Sequence, residues 1–391
     1  MKPIISVVMF CSQFRPAFGG AERQAEKLAV ALVEQGCQVM ILTPRIDAES
    51  PDREEGHGVT IERFPMIDLS RRFPVPGIAL LNIPYILWQV TRAVKARLKD
   101  ANILHCHIAS LQTAGAALAG RISGVPVLLK AAVADHRSDL GEIEKNGFSG
   151  RLVAYLVRLL IPNWIATTLA VEEALLRAGI AAEKIARIPN GVEVSDAADS
   201  RKLRKNIKRF LYLGRLSTNT QRDVPTLIKA FDYVATILPD VELAIVGGGD
   251  LLEVTRKLVG NCLASNRIYA PGFDDSEKWL TWADCFVLPS RREGLSNALL
   301  EAMAAGLPCI ANDIPPNREV LANGEAGLLV GIEDINDLTK AMYKMVEEKG
   351  VAEHYARKST ERVEQCYSIT AVAMQYIQFY DLLIKKNFLK T

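Results

Sequence analysis

The sequence has little net charge, no paired cysteines and no long apolar run. Its 47 Lys and Arg residues nearly balance 45 Asp and Glu residues, so a formal charge of +2 gives no support for nucleic-acid binding driven by bulk charge. The seven cysteines are scattered without a Cys-x-x-Cys pair, and we interpret them as reduced core residues of a cytoplasmic protein. No apolar run reaches transmembrane length, and the apolar N-terminus lacks a signal-peptide cleavage site.

What the sequence does contain is enough apolar material for two domains. Of its 391 residues, 49% are hydrophobic, which suits two domains of about 180 to 200 residues each. Short apolar runs alternate with helical patterns: a strand at residues 4–10 precedes a helix at 21–35 and a second strand at 39–42. This alternation is typical of parallel βαβ units, so we predict an α/β fold.

Residues 289–311 carry the most informative pattern. An apolar run at 285–288 predicts a buried strand, which a loop, a short Ala- and Leu-rich helix and a second strand follow. Ser296 is placed as the N-cap of that helix, and Gly306 as the glycine just beyond its end. Loops at the carboxyl ends of strands bind ligands in open α/β sheets, so this loop is a candidate site.

Two carboxylates, Glu293 and Glu301, frame this loop and helix. Eight residues of helix span about 12 Å, whereas the acid–base pair of a glycosidase lies roughly 5 to 9.5 Å apart. The helix N-terminus between the two carboxylates instead suits a longer ligand with an anionic middle, such as a sugar–diphosphate–nucleoside. The alternative interpretation is an amphipathic helix with two glutamates in solvent.

The same residues resemble a known family. Glu293-Gly294, followed by Glu301-Ala-Met-Ala-Ala-Gly306-Leu-Pro308, is similar to the glutamate-x7-glutamate motif of the retaining glycosyltransferases of family 4, the group 1 transferases. This resemblance implies the GT-B fold, an α/β architecture in which two facing Rossmann-like domains with parallel sheets enclose an interdomain cleft. It covers nearly the whole chain and is strongest over residues 210–330.

The resemblance also implies roles for individual residues. Glu293 would orient the transferred sugar, and Glu301 would bind the ribose. Arg215 and Arg222 would hold the diphosphate and stabilise the charge that develops on the leaving nucleotide. Arg222 stands where the family usually has lysine, and the loop before it is longer. The start of the helix would bind the same diphosphate through Gly294, Leu295, Ser296 and Asn297.

Further candidates lie in the first half of the chain. Gly19 and Gly20 resemble the acceptor loop of the family, although two glycines could also serve only a tight turn. His105 and His107 end a predicted strand, and the period of two places both rings on one face. No third and fourth ligand stand at convincing spacing, so we predict no metal site. The resemblance gives His107 a place at the sugar-transfer centre, and His136-Arg137 could add a contact.

Residues 69–99 allow two interpretations. Basic residues flank an apolar, aromatic run at 78–90, which contains Trp88 and is too short to cross a bilayer. Such a segment could lie in a membrane interface. Equally, it could be an ordinary packed helix of the first domain, with Trp88 in the core.

The resemblance implies a division of the chain into functional parts. Residues 1–190 would form the acceptor-binding domain, 191–207 a linker and 208–365 the nucleotide-sugar-binding domain, and a last helix at 366–391 would return to the first domain. The expected enzyme is a retaining, metal-independent glycosyltransferase of hexosyltransferase type that needs no cofactor.

We expect the donor to be a nucleotide-diphosphate sugar and the acceptor a sugar or a lipid-linked sugar, in cell-surface polysaccharide or glycolipid assembly. The enzyme would be cytoplasmic, with peripheral contact to the anionic inner face of the membrane and no nucleic-acid partner. Alternatives with the same fold are a sugar-nucleotide epimerase, a phosphorylase and a non-catalytic sugar-nucleotide-binding subunit.

Overall fold

The structure, a computed structural model, describes residues 4–16, 19–47, 49–72, 77–131, 139–194, 207–218 and 221–388. His136, Arg137 and most of the predicted linker, residues 195–206, lie outside the described residues. The chain divides into two compact units: Met1–Gly191 with Ile369–Thr391, and Val192–Ser368.

The first unit is built on an eight-stranded sheet in the order β3-β4-β2-β1-β5-β6-β7-β8, parallel except for the β3–β4 pair. Its strands are β1 (Ser6–Cys11), β2 (Gln38–Pro44), β3 (Arg53–Gly56), β4 (Val59–Phe64), β5 (Ile103–His107), β6 (Val127–Ala131), β7 (Asn163–Ala166) and β8 (Ile185–Arg187). Every residue of β5 and β6 is buried, as expected of parallel strands that helices cover on both faces.

Helices cover both faces of this sheet. They are α1 (Gly20–Glu34), α2 (Leu69–Arg72), α3 (Ile78–Lys95), α4 (Leu111–Ser123), α5 (Asp139–Glu144), α6 (Gly147–Leu160) and α7 (Leu169–Arg177). Helices α3, α4 and α6 share one apolar core with the sheet. Helix α1 belongs to a second core on the other face, where its apolar stripe is buried. Among the described residues, no helix combines the length and the apolar content that crossing a bilayer would need.

The second unit has a six-stranded parallel sheet in the order β11-β10-β9-β12-β13-β14. Its strands are β9 (Arg209–Leu213), β10 (Glu242–Val246), β11 (Ile268–Gly272), β12 (Cys285–Leu288), β13 (Cys309–Asn312) and β14 (Leu328–Val330). Its helices are α8 (Val224–Ile237), α9 (Leu252–Gly260), α10 (Ser276–Trp282), α11 (Asn297–Ala304), α12 (Pro315–Val320), α13 (Ile335–Glu347) and α14 (Val351–Cys366). The last helix of the chain, α15 (Ile369–Phe388), belongs to the first unit and packs in the same core as α1.

Each sheet contains one point at which the strand order reverses. In the first unit the chain builds outward from β1 to β2 and then resumes on the other side with β5; in the second it does so from β9 to β10 and resumes with β12. Ligands of open α/β sheets bind beside the carboxyl ends of the strands at such switch points. The predicted parallel α/β architecture is therefore confirmed in both units, and it locates one candidate site in each.

Candidate active site

In the second unit, Arg215 lies on the loop that follows β9, and glycines on a neighbouring loop set the path of its backbone. Backbone hydrogen bonds join this loop to the one after β10. A Cβ atom on Gly247 would lie 1.8 Å from the carbonyl oxygen of Gly214, and one on Gly249 would lie 2.1 Å from that of Leu216. Only glycine allows backbones to approach this closely, and this approach fixes where Arg215 leaves the sheet. The Arg215 side chain itself is exposed.

Arg222 and Glu293 form an ion pair at the same switch point. The backbone of Arg222 forms an isolated antiparallel β-bridge with Ser290, just beyond β12. The Arg222 side chain donates through Nη1 to both Ser290 Oγ and Glu293 Oε1. The two side chains are mostly buried, with exposed fractions of 18% for Arg222 and 9% for Glu293. Burial lowers the pKa of the Arg222 guanidinium. The residues predicted to hold the diphosphate and the sugar therefore lie in direct contact.

The start of α11 has the local structure expected from its sequence. Ser296 is the N-cap, and its hydroxyl accepts from the Leu299 N–H at 3.3 Å. At the other end Gly306 adopts a φ of +70°, and the amides of residues 306 and 307 donate back to Met303 and Ala302, as in a Schellman motif. Both cap predictions are confirmed.

The binding residues predicted along this loop and helix differ in what they expose. Gly294, Leu295 and Ser296 are buried. The Leu295 side chain belongs to the apolar core, so only its backbone is available to a ligand. Asn297 and Glu301 are half-buried, which leaves part of each side chain accessible. The amides of the first helical turn and the helix dipole favour an anion at this end.

The sequence analysis missed a second set of charged contacts, made by residues next to Arg222 and Glu293 in the chain. Asp223 is buried and caps α8, and its Oδ1 lies 3.4 Å from Arg291 Nη2. Arg291 Nε also lies 2.8 Å from Glu333 Oε1. The sequence did contain a signal for the Asp223 cap, because an Asp two residues before Pro225 is typical of a helix start.

In the first unit, His107 ends β5 and pairs in register with Cys11 at the end of β1. The next residue, Ile108, has a φ of +64°, a conformation that β-branched residues rarely adopt. Its carbonyl oxygen accepts from Thr113 Oγ1 at 2.8 Å, which holds the turn in place. The chain therefore bends sharply directly after the candidate histidine.

Both predicted histidines lie on one face of the sheet, as expected. The rings of His105 and His107 stack with centroids 4.3 Å apart, and His105 Nδ1 lies 2.7 Å from the Tyr380 hydroxyl of α15. Both histidines are buried, and the Nε2 atom of each lacks a hydrogen-bond partner within the part of the chain that is described. Burial, together with the nearby Lys130 ammonium, lowers the pKa of His107 to about 3, so its imidazole is neutral at physiological pH.

Lys130 is an unexpected member of this cluster. It lies on β6 in register with His107, and its side chain is buried. Burial lowers the pKa of its ammonium to about 8. Among the residues with described positions, Lys130 forms no ion pair, so the cluster around His107 contains an uncompensated cation.

Gly19 and Gly20 begin α1 beside the same switch point. The buried Glu22 carboxylate accepts from the Gly19 N–H at 2.9 Å and from Gln13 Nε2 at 2.8 Å. A small pocket here is lined by Cys11, Ser12, Gln13, Ala21, Glu22, His107 and Ile108. Glu22 was not among the predicted site residues, although its position three residues after the helix start is typical of a capping glutamate.

Comparisons with known proteins agree with this architecture. Residues 19–191 match the family model of a glycosyl transferase 4-like domain, and residues 195–362 match that of the glycosyl transferases group 1. The phosphatidyl-myo-inositol mannosyltransferase of Mycobacterium leprae is 27% identical over 387 residues, 95% of this chain and 96% of that protein. The protein of the same name from Mycolicibacterium smegmatis is 32% identical over 200 residues. The match covers 50% of this chain and 51% of that protein, about half the length of each.

Another relative and two solved structures are also similar to this chain. A UDP-Gal:alpha-D-GlcNAc-diphosphoundecaprenol alpha-1,3-galactosyltransferase of Escherichia coli is 30% identical over 180 residues, 42% of this chain and 46% of that protein. Sucrose-phosphate synthase from Thermosynechococcus elongatus superposes with a TM-score of 0.73 at 22% identity, covering 98% of this chain and 100% of that one. Anabaena HepE in complex with UDP gives 0.73 at 16% identity, covering 96% and 100%. The two family models and the full-length relative show that this chain belongs to the group 1 glycosyltransferases and is a glycosyltransferase of the GT-B fold.

Proposed function

We propose that this glycosyltransferase takes a sugar from a nucleoside diphosphate sugar that binds at the switch point of the second unit. The observation that carries the proposal is the convergence of two arginines and a helix N-terminus there. Arg215 and Arg222 follow β9, and the capped start of α11 follows β12. Together they supply two cations and the positive end of a helix dipole, a combination that suits a diphosphate.

Glu293 would serve both the protein and the donor sugar. An ionised carboxylate has about four acceptor positions. Arg222 occupies a position on Oε1, so others are available to the hydroxyls of the transferred sugar. The ion pair would hold the carboxylate in place before the donor arrives, and Glu301, one further turn into α11, would accept from the ribose.

We further propose that transfer proceeds with retention and without a bound metal. The bond from the anomeric carbon to the diphosphate oxygen breaks, and the acceptor oxygen bonds to that carbon on the same face. The acceptor proton passes to the departing phosphate oxygen. Arg215 and Arg222 would stabilise the negative charge that develops on the diphosphate, the task that a divalent cation performs in other transferases. Within the described ranges, no three His, Cys, Asp or Glu side chains gather where a metal ion could bind.

In the first unit, His107 would contact a substrate hydroxyl. Its neutral imidazole has an Nε2 atom without a protein partner in the described structure, and it lines the pocket at the switch point. A neutral ring can donate or accept one hydrogen bond there without adding charge. Gly19 and Gly20 lie beside the same pocket, where a backbone without side chains would admit the acceptor.

For the acceptor we propose a lipid-linked sugar in polysaccharide or glycolipid assembly. Support comes from the names of the relatives. They include a galactosyltransferase named for a GlcNAc-diphosphoundecaprenol substrate and phosphatidyl-myo-inositol mannosyltransferases. We further propose that the protein works in the cytoplasm, as its reduced cysteines would suit.

The test is a screen of nucleotide sugars with lipid-linked acceptors in EDTA, read as release of nucleoside diphosphate. We expect release that depends on the acceptor and a product whose anomeric configuration, from proton NMR coupling constants, matches that of the donor. An inverted product would contradict retention. Activity that returns only with added divalent ions would contradict metal independence, and release without acceptor would favour an epimerase or a hydrolase.

A further inference from the structure

Helices α3 and α4 of the first unit leave a groove of about 820 Å³ on the surface. The helices are in close contact because α4 has Gly115 at the crossing, where a Cβ atom would lie 3.0 Å from Val90 Cβ. Thr91 Oγ1 of α3 donates to the Gly115 carbonyl oxygen at 2.9 Å. The groove is therefore set by a packed helix pair. It is lined by Pro84, Leu87, Trp88, Thr91, Arg92, Lys95, Ala96, Lys99, Leu118 and Ile122.

Large apolar side chains are exposed in and beside this groove. Trp88 is 55% exposed and Ile122 54%, and Leu81, three residues before the groove-lining Pro84 on α3, is 67% exposed. The sequence analysis left open whether Trp88 is buried in the core of the first domain. In the structure it is not buried there. An exposed apolar surface of this kind usually marks an interaction site.

The charges along the groove have a single sign. Arg92, Lys95 and Lys99 contribute to its lining, and no Asp or Glu does. The Arg92 guanidinium lies 5.7 Å from the centre of the Trp88 ring, so cation and aromatic share one surface. By contrast, Arg97 turns away and pairs with Glu62. Within the described part of the chain, these three cations have no ion-pair partner and lie beside the exposed Trp88 ring, a combination that suits a partner both anionic and apolar.

We propose that the α3–α4 groove docks the protein on a membrane leaflet that contains anionic phospholipids. Trp88 would sit at the headgroup level, where aromatic side chains prefer to lie, and the three cations would contact headgroup phosphates. Each basic residue near such a surface contributes about 1 kcal/mol. The docking surface itself does not depend on the proposed function. Only its benefit rests on that function, because docking would bring the enzyme to the leaflet that holds a lipid-linked acceptor.

The test is sedimentation of the full chain with vesicles of phosphatidylcholine alone or mixed with phosphatidylglycerol. We expect at least tenfold stronger binding to the mixed vesicles at low salt, and loss of that preference near 1 M NaCl, where the Debye length is about 3 Å. The charge reversal Arg92→Glu/Lys95→Glu/Lys99→Glu should abolish binding, and Trp88→Ala should weaken it several-fold. Brominated lipid chains should quench tryptophan emission in the wild type and not in Trp88→Phe.

The matched control lies on α8 of the second unit. Lys229 and Tyr233 are an exposed cation and an exposed aromatic residue four positions apart, as are Trp88 and Arg92 on α3. Lys229→Glu and Tyr233→Ala should leave vesicle binding unchanged. Equal binding by the triple variant, or no preference for anionic vesicles, would overturn the proposal. A concentration-dependent dimer that dissociates in Trp88→Ala would also overturn the proposal, because the groove would then bind a second copy of the chain.

The two proposals can fail separately. A wild-type protein that binds nucleoside diphosphates but ignores vesicles would overturn only the docking surface. One that binds anionic vesicles but no nucleotide would overturn only the donor site.

Discussion

Arg222 and Glu293, 71 residues apart in the sequence, form one ion pair at the switch point of the second unit. The loop before α8 and the loop before α11 are thereby joined by the two residues to which the proposed mechanism gives the diphosphate and the sugar. From this contact and the proposed roles, we predict that a change at either residue acts on both donor binding and stability.

Glu293→Gln tests that double role. We expect transfer to fall by more than 100-fold, since electrostatic contacts made at the reacting centre typically have this size. Stability should also fall, by about 1 to 3 kcal/mol, because the mostly buried Arg222 loses its carboxylate. Turnover assays and denaturant unfolding measure the two effects. Glu333→Gln, which removes the exposed partner of Arg291, is the control and should change neither. Full turnover in Glu293→Gln would refute the assignment.

Gly249→Ala tests how the Arg215 loop is positioned. The new Cβ would overlap the Leu216 carbonyl oxygen, and the residue would keep an unfavourable φ of +145°. Strain of this kind costs about 1 to 3 kcal/mol, and we expect at least a tenfold loss of nucleoside diphosphate affinity in titration calorimetry. Gly260→Ala, at the end of α9 with open space around its Cβ, should bind like the wild type. Equal nucleoside diphosphate affinities for the two variants would contradict a role of the Arg215 loop in donor binding.

The depressed pKa of His107 predicts a response to acid. Its folded pKa of about 3 lies below the ordinary histidine value of 6.5, so the unfolded chain binds the extra proton between these values. The unfolding free energy should therefore fall as the pH drops from about 6.5 toward 3, by several kcal/mol from this residue. His107→Gln should lose activity but show a shallower loss of stability in acid. Parallel unfolding curves for wild type and variant would contradict a buried neutral imidazole.

Removing the charge of Lys130 should stabilise the first unit. Its folded pKa of about 8 lies below the ordinary value of 10.5, so below pH 8 the chain carries a charge that costs more free energy in the folded state than in the unfolded state. Lys130→Met should raise the unfolding free energy by up to about 3 kcal/mol below pH 8, and the gain should disappear near pH 10.5. Thermal unfolding at pH 7 and pH 10.5 distinguishes this from a packing effect, which would persist at both.

Local patterns in the sequence were sufficient for several structural features around the candidate site. The cap at Ser296, the glycine at 306 and the shared face of His105 and His107 depend on residues only a few positions apart, so periodicity and turn chemistry predict them. The parallel α/β fold class followed from the alternation of short apolar runs with helical patterns.

Contacts between distant residues were beyond those patterns. The Arg222–Glu293 pair and the contact of His105 with Tyr380, 275 residues away, depend on which strands become neighbours. The exposure of Trp88 was undetermined for another reason: an amphipathic helix has the same periodicity whether its apolar face meets a core or a membrane.

The donor site is tested most directly by titration calorimetry of the full chain with UDP and GDP in the presence of EDTA. We expect one of the two to bind at one site per chain, at least tenfold more weakly in Arg222→Gln and unchanged in His107→Gln. Failure of both nucleotides to bind without divalent ions, or equal affinity in Arg222→Gln, would contradict a metal-independent diphosphate site at the switch point of the second unit.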